Sequence, residues 1–174
     1  MNSITPELID YLRKLPTRPT ASRRQMLEET RRRVTCGERD AQALVPFALA
    51  DDDDEIVFAA TSAYVGVVRD AGERDAAAHD ATEWIRRGLA INRGAVFAAL
   101  LALGDDGINQ RLLPLRLALP AADVATVCRR AARRSCERSR AFLREWHELL
   151  FGQAKAPERE HVAASLGIGR AQVA

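Results

Sequence analysis

Seven arginines between residues 129 and 144 form the most concentrated charge feature of the sequence. On an α-helix, positions 129, 133, 140 and 144 share one face, and positions 130, 134 and 138 lie beside it. A cationic stripe of this kind is what binding to a nucleic-acid phosphate backbone requires. The predicted polyanion-binding residues are Arg129, Arg130, Arg133, Arg134, Arg138, Arg140 and Arg144.

The same segment also fits an ordinary amphipathic helix whose arginines are simply solvated. Glu137, Glu145 and Glu148 interrupt the basic face, and all but Lys14 and Lys155 of the 26 basic residues are arginine. An arginine bias together with abundant alanine is typical of a GC-rich bacterial genome, so arginine here is weak support for selected recognition. The side expected to be buried carries Val124, Val127, Cys128, Ala131, Phe142, Trp146 and Leu149.

Other residue types that carry chemistry do not form a recognisable site. The acidic run 51–55 lacks the glycine and the distal glutamate of a calcium-binding loop, so we expect a solvated turn. His79, His147 and His161 have no partner at metal-ligand spacing on a helix. With no nucleophile elbow and no glycine-rich phosphate loop, the sequence predicts no catalytic, cofactor-binding or metal-binding residue. An enzyme with an unrecognised site stays a third hypothesis.

The length of 174 residues and the 47% hydrophobic content are those of an ordinary globular protein. Charge is segregated: residues 41–110 carry twelve acidic and five basic side chains, whereas residues 111–174 carry six acidic and twelve basic. Cys36, Cys128 and Cys136 are odd in number, which favours reduced thiols serving as small core residues. Without a signal-like N-terminus or an apolar run of about 18 residues, we expect no membrane span and a bacterial, cytoplasmic protein.

The N-terminal segment predicts a short helix followed by a stiff linker. Thr5 and Pro6 begin the helix, and Pro16 ends it. We expect it to cap the domain or to dock on another subunit. The capping box beginning at Ser22 then predicts a polar helix that ends near Cys36. The apolar stripe of the first helix consists of Ile4, Leu8, Leu12 and Leu15.

A repeated motif organises the middle of the chain. Val57-Phe58-Ala59-Ala60 recurs 39 residues later as Val96-Phe97-Ala98-Ala99, and each copy opens an apolar run. Such a period is typical of stacked helical repeats. The two runs predict inner helices at 54–69, capped by Asp54, and at 95–103.

Further helices are expected around these two. They are a short helix 41–50 containing Pro46, an amphipathic helix 73–89 after a break at Ala71-Gly72, a short helix 108–119 containing Pro114, and a basic helix capped by Asp123.

The order of these features resembles HEAT or armadillo-like repeats over roughly residues 40–140. Leu44-Val45-Pro46, the acidic turn from Asp51, and then Val57, Ala60 and Ala63 follow the HEAT pattern, although Phe58 stands where arginine is usual. The resemblance implies an all-α fold, a right-handed αα-superhelix of about seven to nine helices that binds partners on its concave face. The expected organisation is an N-terminal helix and linker at 1–19, a HEAT-like domain at 20–151 and a polar tail with a short helix at 152–174.

The expected function is that of a non-enzymatic adaptor or regulator that binds a protein partner. The alternative is binding of a nucleic-acid phosphate backbone through the C-terminal arginines. Residues 160–173 also resemble the first two-thirds of a helix-turn-helix, but the recognition helix is too short to fill a major groove.

Overall fold

The computed structural model describes residues 6–14, 17–67, 70–103 and 106–117, together with 119, 123 and 127. The regular structure of these residues is entirely helical, which confirms the all-α prediction for this part of the chain. The α-helices are α1 (Pro6–Lys14), α2 (Thr20–Thr35), α3 (Val45–Ala50), α4 (Asp54–Gly66), α5 (Ala71–Arg86), α6 (Arg93–Ala102) and α7 (Asp106–Leu112). Two 3₁₀ helices span Ala41–Leu44 and Leu113–Leu117. The chain divides into two compact units, Met1–Asn92 and Arg93–Ala174.

Helix α4 is the centre of the first unit. It packs against α2, α3, α5 and the 3₁₀ helix Ala41–Leu44, while α1 packs against α3. Val57, Ala60 and Val65 of α4 are fully buried, and Trp84 of α5 is 1% exposed. Each large apolar side chain removed from water stabilises the fold by roughly 1.5–3 kcal/mol, so α4 supplies much of the hydrophobic stabilisation of this unit.

The lack of a polar face correctly predicts the burial of the two inner helices. In α4 the buried positions include Ile56, Phe58 and Tyr64. In α6 every residue from Gly94 to Leu101 is buried. The equivalence of α4 and α6 within a stacked repeat stays a prediction.

The N-terminal ends of α2, α4 and α5 differ from those that the sequence predicts. The carboxylate of Asp53, rather than that of Asp54, accepts from Glu55 N and Ile56 N at the start of α4. Asp70 caps α5 in the same way, so Ala71 and Gly72 begin this helix instead of separating two helices. Helix α2 begins at Thr20 after Pro19, without a side-chain cap, so the predicted capping box at Ser22 is wrong.

Proline divides the third predicted helix into two parts. Residues 41–44 form the 3₁₀ helix, with the Asp40 carboxylate accepting from Gln42 N at 2.7 Å. Pro46 then lies in the first turn of α3, where a missing N–H costs no helical hydrogen bond. Pro114 likewise lies in the 3₁₀ helix that follows α7.

In the second unit, an aspartate that is distant in the sequence binds the start of α6. The Asp123 carboxylate accepts from Gly94 N at 3.2 Å and pairs with Arg93 at 3.4 Å. Asp123 therefore supplies a negative charge to the N-terminus of α6, where the helix dipole favours it. Most of the basic helix that Asp123 was predicted to cap lies outside the described residues.

Gly94→Ala is expected to destabilise the protein by about 1–3 kcal/mol, because there is no room for a methyl group. A Cβ at position 94 would lie 2.8 Å from the Asp123 Cα, and closer still to the Asp123 carbonyl oxygen. The matched control is Gly66→Ala at the end of α4, where a Cβ meets no atom within 4 Å. That control should be neutral or stabilising by up to about 1 kcal/mol, because alanine favours helix. Urea unfolding measures both, and equal stabilities would contradict the crowding at position 94.

Candidate functional site

The seven arginines predicted to bind polyanions all lie outside the described residues, as do His147, His161 and the segment that resembles a helix-turn-helix. Their role stays a prediction. In the described part of the chain, no group of three or more histidine, cysteine or acidic side chains could hold a metal ion. No helix of that part is long and apolar enough to cross a membrane.

A buried polar network around Asp51 is the most organised electrostatic feature of the first unit. Asp51 is 0% exposed, although it belongs to the acidic run that was predicted to be a solvated turn. Its Oδ2 accepts from the Tyr11 hydroxyl of α1, and its Oδ1 accepts from Arg23 Nη1 of α2 at 2.5 Å. The Asp53 backbone N–H donates to the same Oδ1 at 2.9 Å. We call Tyr11, Arg23, Asp51 and Asp52 the Asp51 network.

Arg23 is the cation of this network. Besides Asp51, its Nη1 contacts Asp52 Oδ1 at 2.7 Å, and its Nη2 donates to Thr20 Oγ1 at 3.0 Å. The Arg23 side chain is 9% exposed, whereas that of Asp52 is 72% exposed. The guanidinium thus provides the positive charge that two neighbouring carboxylates face, one inside the protein and one at its surface.

Burial and charge act together on the pKa values of the network. Burial, followed by the hydrogen bond to Asp51, raises the pKa of Tyr11 well above its ordinary value. Burial by itself lowers the pKa of Arg23. The hydrogen bond to Asp52 and the charge of Asp51 outweigh burial, so the pKa of Arg23 is raised overall. The Arg23 hydrogen bond holds the pKa of Asp52 below its usual value. At neutral pH the network therefore contains a neutral tyrosine and an ionised arginine.

The arrangement joins α1, α2 and the turn before α4 by polar contacts, which indicates a structural role. A second contact reinforces it, since Arg24 Nη2 reaches Asp53 Oδ2 at 2.9 Å while Asp53 caps α4. Removing one member of a buried ion pair costs far more than the pair itself contributes. The Asp51 network thus stabilises the meeting of α1, α2 and the turn before α4.

A second buried tyrosine, Tyr64 of α4, faces α5. Its ring packs on Trp84 with centroids 5.1 Å apart, and its hydroxyl accepts from Gln42 Nε2 at 3.1 Å. The Tyr64 hydroxyl donates to Asp80 Oδ2 at 3.3 Å. Burial, followed by the charge of Asp80, raises the pKa of Tyr64 to about 12.

The folded protein is expected to show no tyrosinate absorbance near pH 10, because Tyr11 and Tyr64 are its only tyrosines and both pKa values are raised. Both shifts favour the protonated folded state. Their contribution to stability is therefore complete below pH 10.0, the pKa of an ordinary tyrosine, and is lost as the pH rises above it. An ultraviolet pH titration measures the tyrosinate absorbance of the folded chain. The control is the same chain unfolded in concentrated guanidinium chloride. A folded chain that titrates like the unfolded one would contradict the burial of both hydroxyls.

Exposed apolar side chains occur in pairs in the first unit. Ile9 and Leu12 of α1 are 40% and 43% exposed. Leu89 and Ile91, after α5, are 42% and 60% exposed. The backbone N–H of Ile91 donates to the Leu49 carbonyl at 2.9 Å, which fixes this loop on α3.

The face predicted for α1 is wrong at Leu12, because Tyr11 takes the inward position and is 6% exposed. Ile4 and Leu15 of the same predicted stripe lie outside the described residues. The prediction of a core thiol is also wrong for Cys36, which is exposed and free.

Sequence patterns missed the Asp51 network because its members are far apart in the chain. Asp51 and Tyr11 are 40 residues apart, and Asp51 and Arg23 are 28 apart. Four consecutive aspartates look alike in the sequence, and nothing local shows which one is buried. The one local signal is the cap: once Asp53 is placed at the N-cap of α4, Asp51 falls before the helix, where it can point back toward α2.

Comparison of the chain with protein-family models, with curated proteins and with solved structures finds no match.

Proposed function

We propose that the protein is a non-enzymatic adaptor or regulatory module that binds a protein partner on a scaffold of HEAT-like helical hairpins. The observation that carries the proposal is the paired exposure of large apolar side chains at Ile9 and Leu12 and at Leu89 and Ile91. A single exposed leucine is ordinary, whereas neighbouring apolar side chains on a fixed backbone suit a protein interface.

The buried polar groups support the same proposal. Tyr11 and Arg23 each donate a hydrogen bond to Asp51 and so connect α1 and α2 to the turn before α4. The raised pKa values of Tyr11 and Arg23 therefore have a structural cause.

Site-specific crosslinking tests the proposal. A photoreactive amino acid at position 91 should capture one defined protein in cells, whereas the same group at exposed Glu28 of α2 should not. Ile9→Asp together with Ile91→Asp should then weaken binding of the purified partner at least tenfold without changing the melting temperature. A crosslinking pattern that is the same at both positions, or an unchanged affinity, would contradict the proposal.

The alternative, binding of a phosphate backbone, rests on the charge of the arginine-rich segment. Replacing Arg129, Arg133, Arg140 and Arg144 by glutamate is expected to abolish nucleic-acid binding without unfolding the protein. The sequence predicts that these positions face outward on a helix, and solvent-exposed charges contribute little to stability. The wild-type affinity should fall steeply with salt, because binding to phosphates releases counterions. Gel-shift assays with duplex and single-stranded DNA and RNA measure both effects.

The matched control for this experiment lies on α2. Arg31, Arg32 and Arg33 are already paired with Glu28 or Glu29, at 2.7, 3.0 and 2.7 Å. Their replacement by glutamate changes the total charge by a similar amount but should leave binding nearly unchanged. Absence of wild-type binding at low salt would eliminate this alternative.

A further inference from the structure

Residues 89–91, which we call the 89–91 loop, present two large apolar side chains directly after α5. Leu89 is 42% exposed and Ile91 is 60% exposed, whereas Ala90 between them is 4% exposed. The alternation turns the small side chain inward and the two large ones toward water. This is the reverse of what apolar burial favours, so the loop offers apolar area to another molecule.

The backbone of this loop is held by hydrogen bonds. Gly88 has a positive φ of 66°, which lets the chain turn out of α5. The N–H groups of Gly88 and Leu89 donate back to carbonyls of the last turn of α5 at 3.1 and 2.9 Å, which is the Schellman arrangement. The Ile91 N–H donates to the Leu49 carbonyl at 2.9 Å. The exposed pair is therefore preformed, and a partner does not have to order the loop when it binds.

The charge beside the loop is positive. Arg86 binds Glu83 through Nε and Nη2, at 2.7 and 2.5 Å, whereas Arg87 reaches the same carboxylate through Nε alone, at 3.0 Å. The side chains of Arg86 and Arg87 are 57% and 53% exposed. Two guanidinium groups thus share one carboxylate. In the hydrogen bonds among the described residues, the two Nη groups of Arg87 take no part.

Arg87 and the loop can be reached by one short peptide. An arginine whose Nη groups are both available binds a carboxylate end-on through two parallel hydrogen bonds. The Cα atoms of Arg87 and Leu89 lie at most about 7.6 Å apart, because two trans peptide units separate them. A carboxylate on Arg87 and an apolar side chain on Leu89 or Ile91 can therefore belong to neighbouring residues of one partner segment.

We propose that the 89–91 loop binds a segment of a protein partner in which a carboxylate side chain adjoins large apolar side chains, and that Arg87 receives the carboxylate. The inference rests on the proposed function and names the chemistry of the partner at one of its two exposed apolar pairs. An anionic membrane surface fits less well, because recognition of such a surface takes a cluster of about four to eight basic side chains.

The test uses the full-length chain as bait for a phage-displayed library of random peptides. Enriched peptides should carry aspartate or glutamate next to leucine, isoleucine or an aromatic residue. A fluorescent copy of the most enriched peptide is then titrated with each variant. Arg87→Gln should weaken its binding roughly tenfold, because a charge-assisted pair of hydrogen bonds is lost. Ile91→Asp should weaken binding at least tenfold, because it replaces apolar area by a carboxylate that repels the peptide.

The matched control is Arg31→Gln on α2. It removes the same charge from an exposed helical position, where Arg31 is paired with Glu28 at 2.7 Å, and it should bind the peptide as the wild type does. All three substituted positions are exposed, so each variant should keep the melting temperature of the wild type. Enrichment of peptides without acidic residues, or equal affinities of Arg87→Gln and Arg31→Gln, would overturn the proposal. Binding to phosphatidylserine vesicles with no peptide enriched would also overturn it, since a membrane surface would then be the occupant.

The outcomes separate this inference from the proposed function. If Ile91→Asp weakens peptide binding and Arg87→Gln does not, the acidic partner is excluded and an apolar protein interface remains. If crosslinking at position 91 captures no defined protein while both variants weaken peptide binding, the peptide site remains and the adaptor function is contradicted.

Discussion

Asp51→Ala is expected to lower the free energy of unfolding by about 3–5 kcal/mol, since it leaves Arg23 buried without its innermost partner. It also removes the acceptor of the Tyr11 hydroxyl and of the Asp53 amide. A loss of this size is a large fraction of the stability of a typical domain, about 5–15 kcal/mol. Urea unfolding followed by circular dichroism provides the measurement.

Two further variants control this experiment. Asp52→Ala removes a carboxylate that also contacts Arg23 but is 72% exposed, so it should cost less than about 1 kcal/mol. The double variant Arg23→Met with Asp51→Leu should be more stable than Asp51→Ala, because no unpaired charge remains buried. If Asp51→Ala and Asp52→Ala unfold at the same urea concentration, the buried network does not stabilise the fold.

Ala60→Asp and Ala99→Asp are expected to unfold the units that contain them. Both alanines are 0% exposed, Ala60 in α4 and Ala99 in α6. A lone carboxylate at such a position has no cation to pair with, and its burial costs several kcal/mol. The far-ultraviolet circular dichroism of either variant at room temperature should show lost helix.

The control for these variants is Ala76→Asp, at an exposed position of α5. It introduces the same side chain into a helix and should melt within a few degrees of the wild type. A nearly unchanged melt of Ala60→Asp would mean that α4 is not the centre of the first unit.

The sequence predicts burial best where a whole helix lacks polar residues. In α4 and α6 the apolar run is longer than one face, so almost any helix orientation buries Val57, Ala60, Val96 and Ala99, all of which are 0% exposed. The prediction does not depend on the exact start of the helix, which explains why it survives the change of N-cap from Asp54 to Asp53.

The sequence predicts poorly where one distant polar contact decides the outcome. In α1 the spacing of leucines places Leu12 inside, but the hydrogen bond between Tyr11 and Asp51 rotates the helix and exposes Leu12. The composition of the acidic run 51–55 predicts a turn exposed to solvent, whereas the ion pair with Arg23 allows Asp51 to be buried. Such contacts depend on which helices meet, and spacing within one helix carries no information about that.

The sequence separation between the members of the Asp51 network also constrains how the chain folds during its synthesis. Tyr11 and Arg23 leave the ribosome before Asp51, which follows Tyr11 by 40 residues. Until Asp51 emerges, the arginine has no internal anion and the tyrosine hydroxyl has no internal acceptor, so neither side chain can be buried without loss. We therefore expect the side chains of Tyr11 and Arg23 to remain in water until the turn that precedes α4 has been synthesised. We therefore expect the N-terminal third of the protein to become resistant to proteases during translation only after Asp51 has emerged.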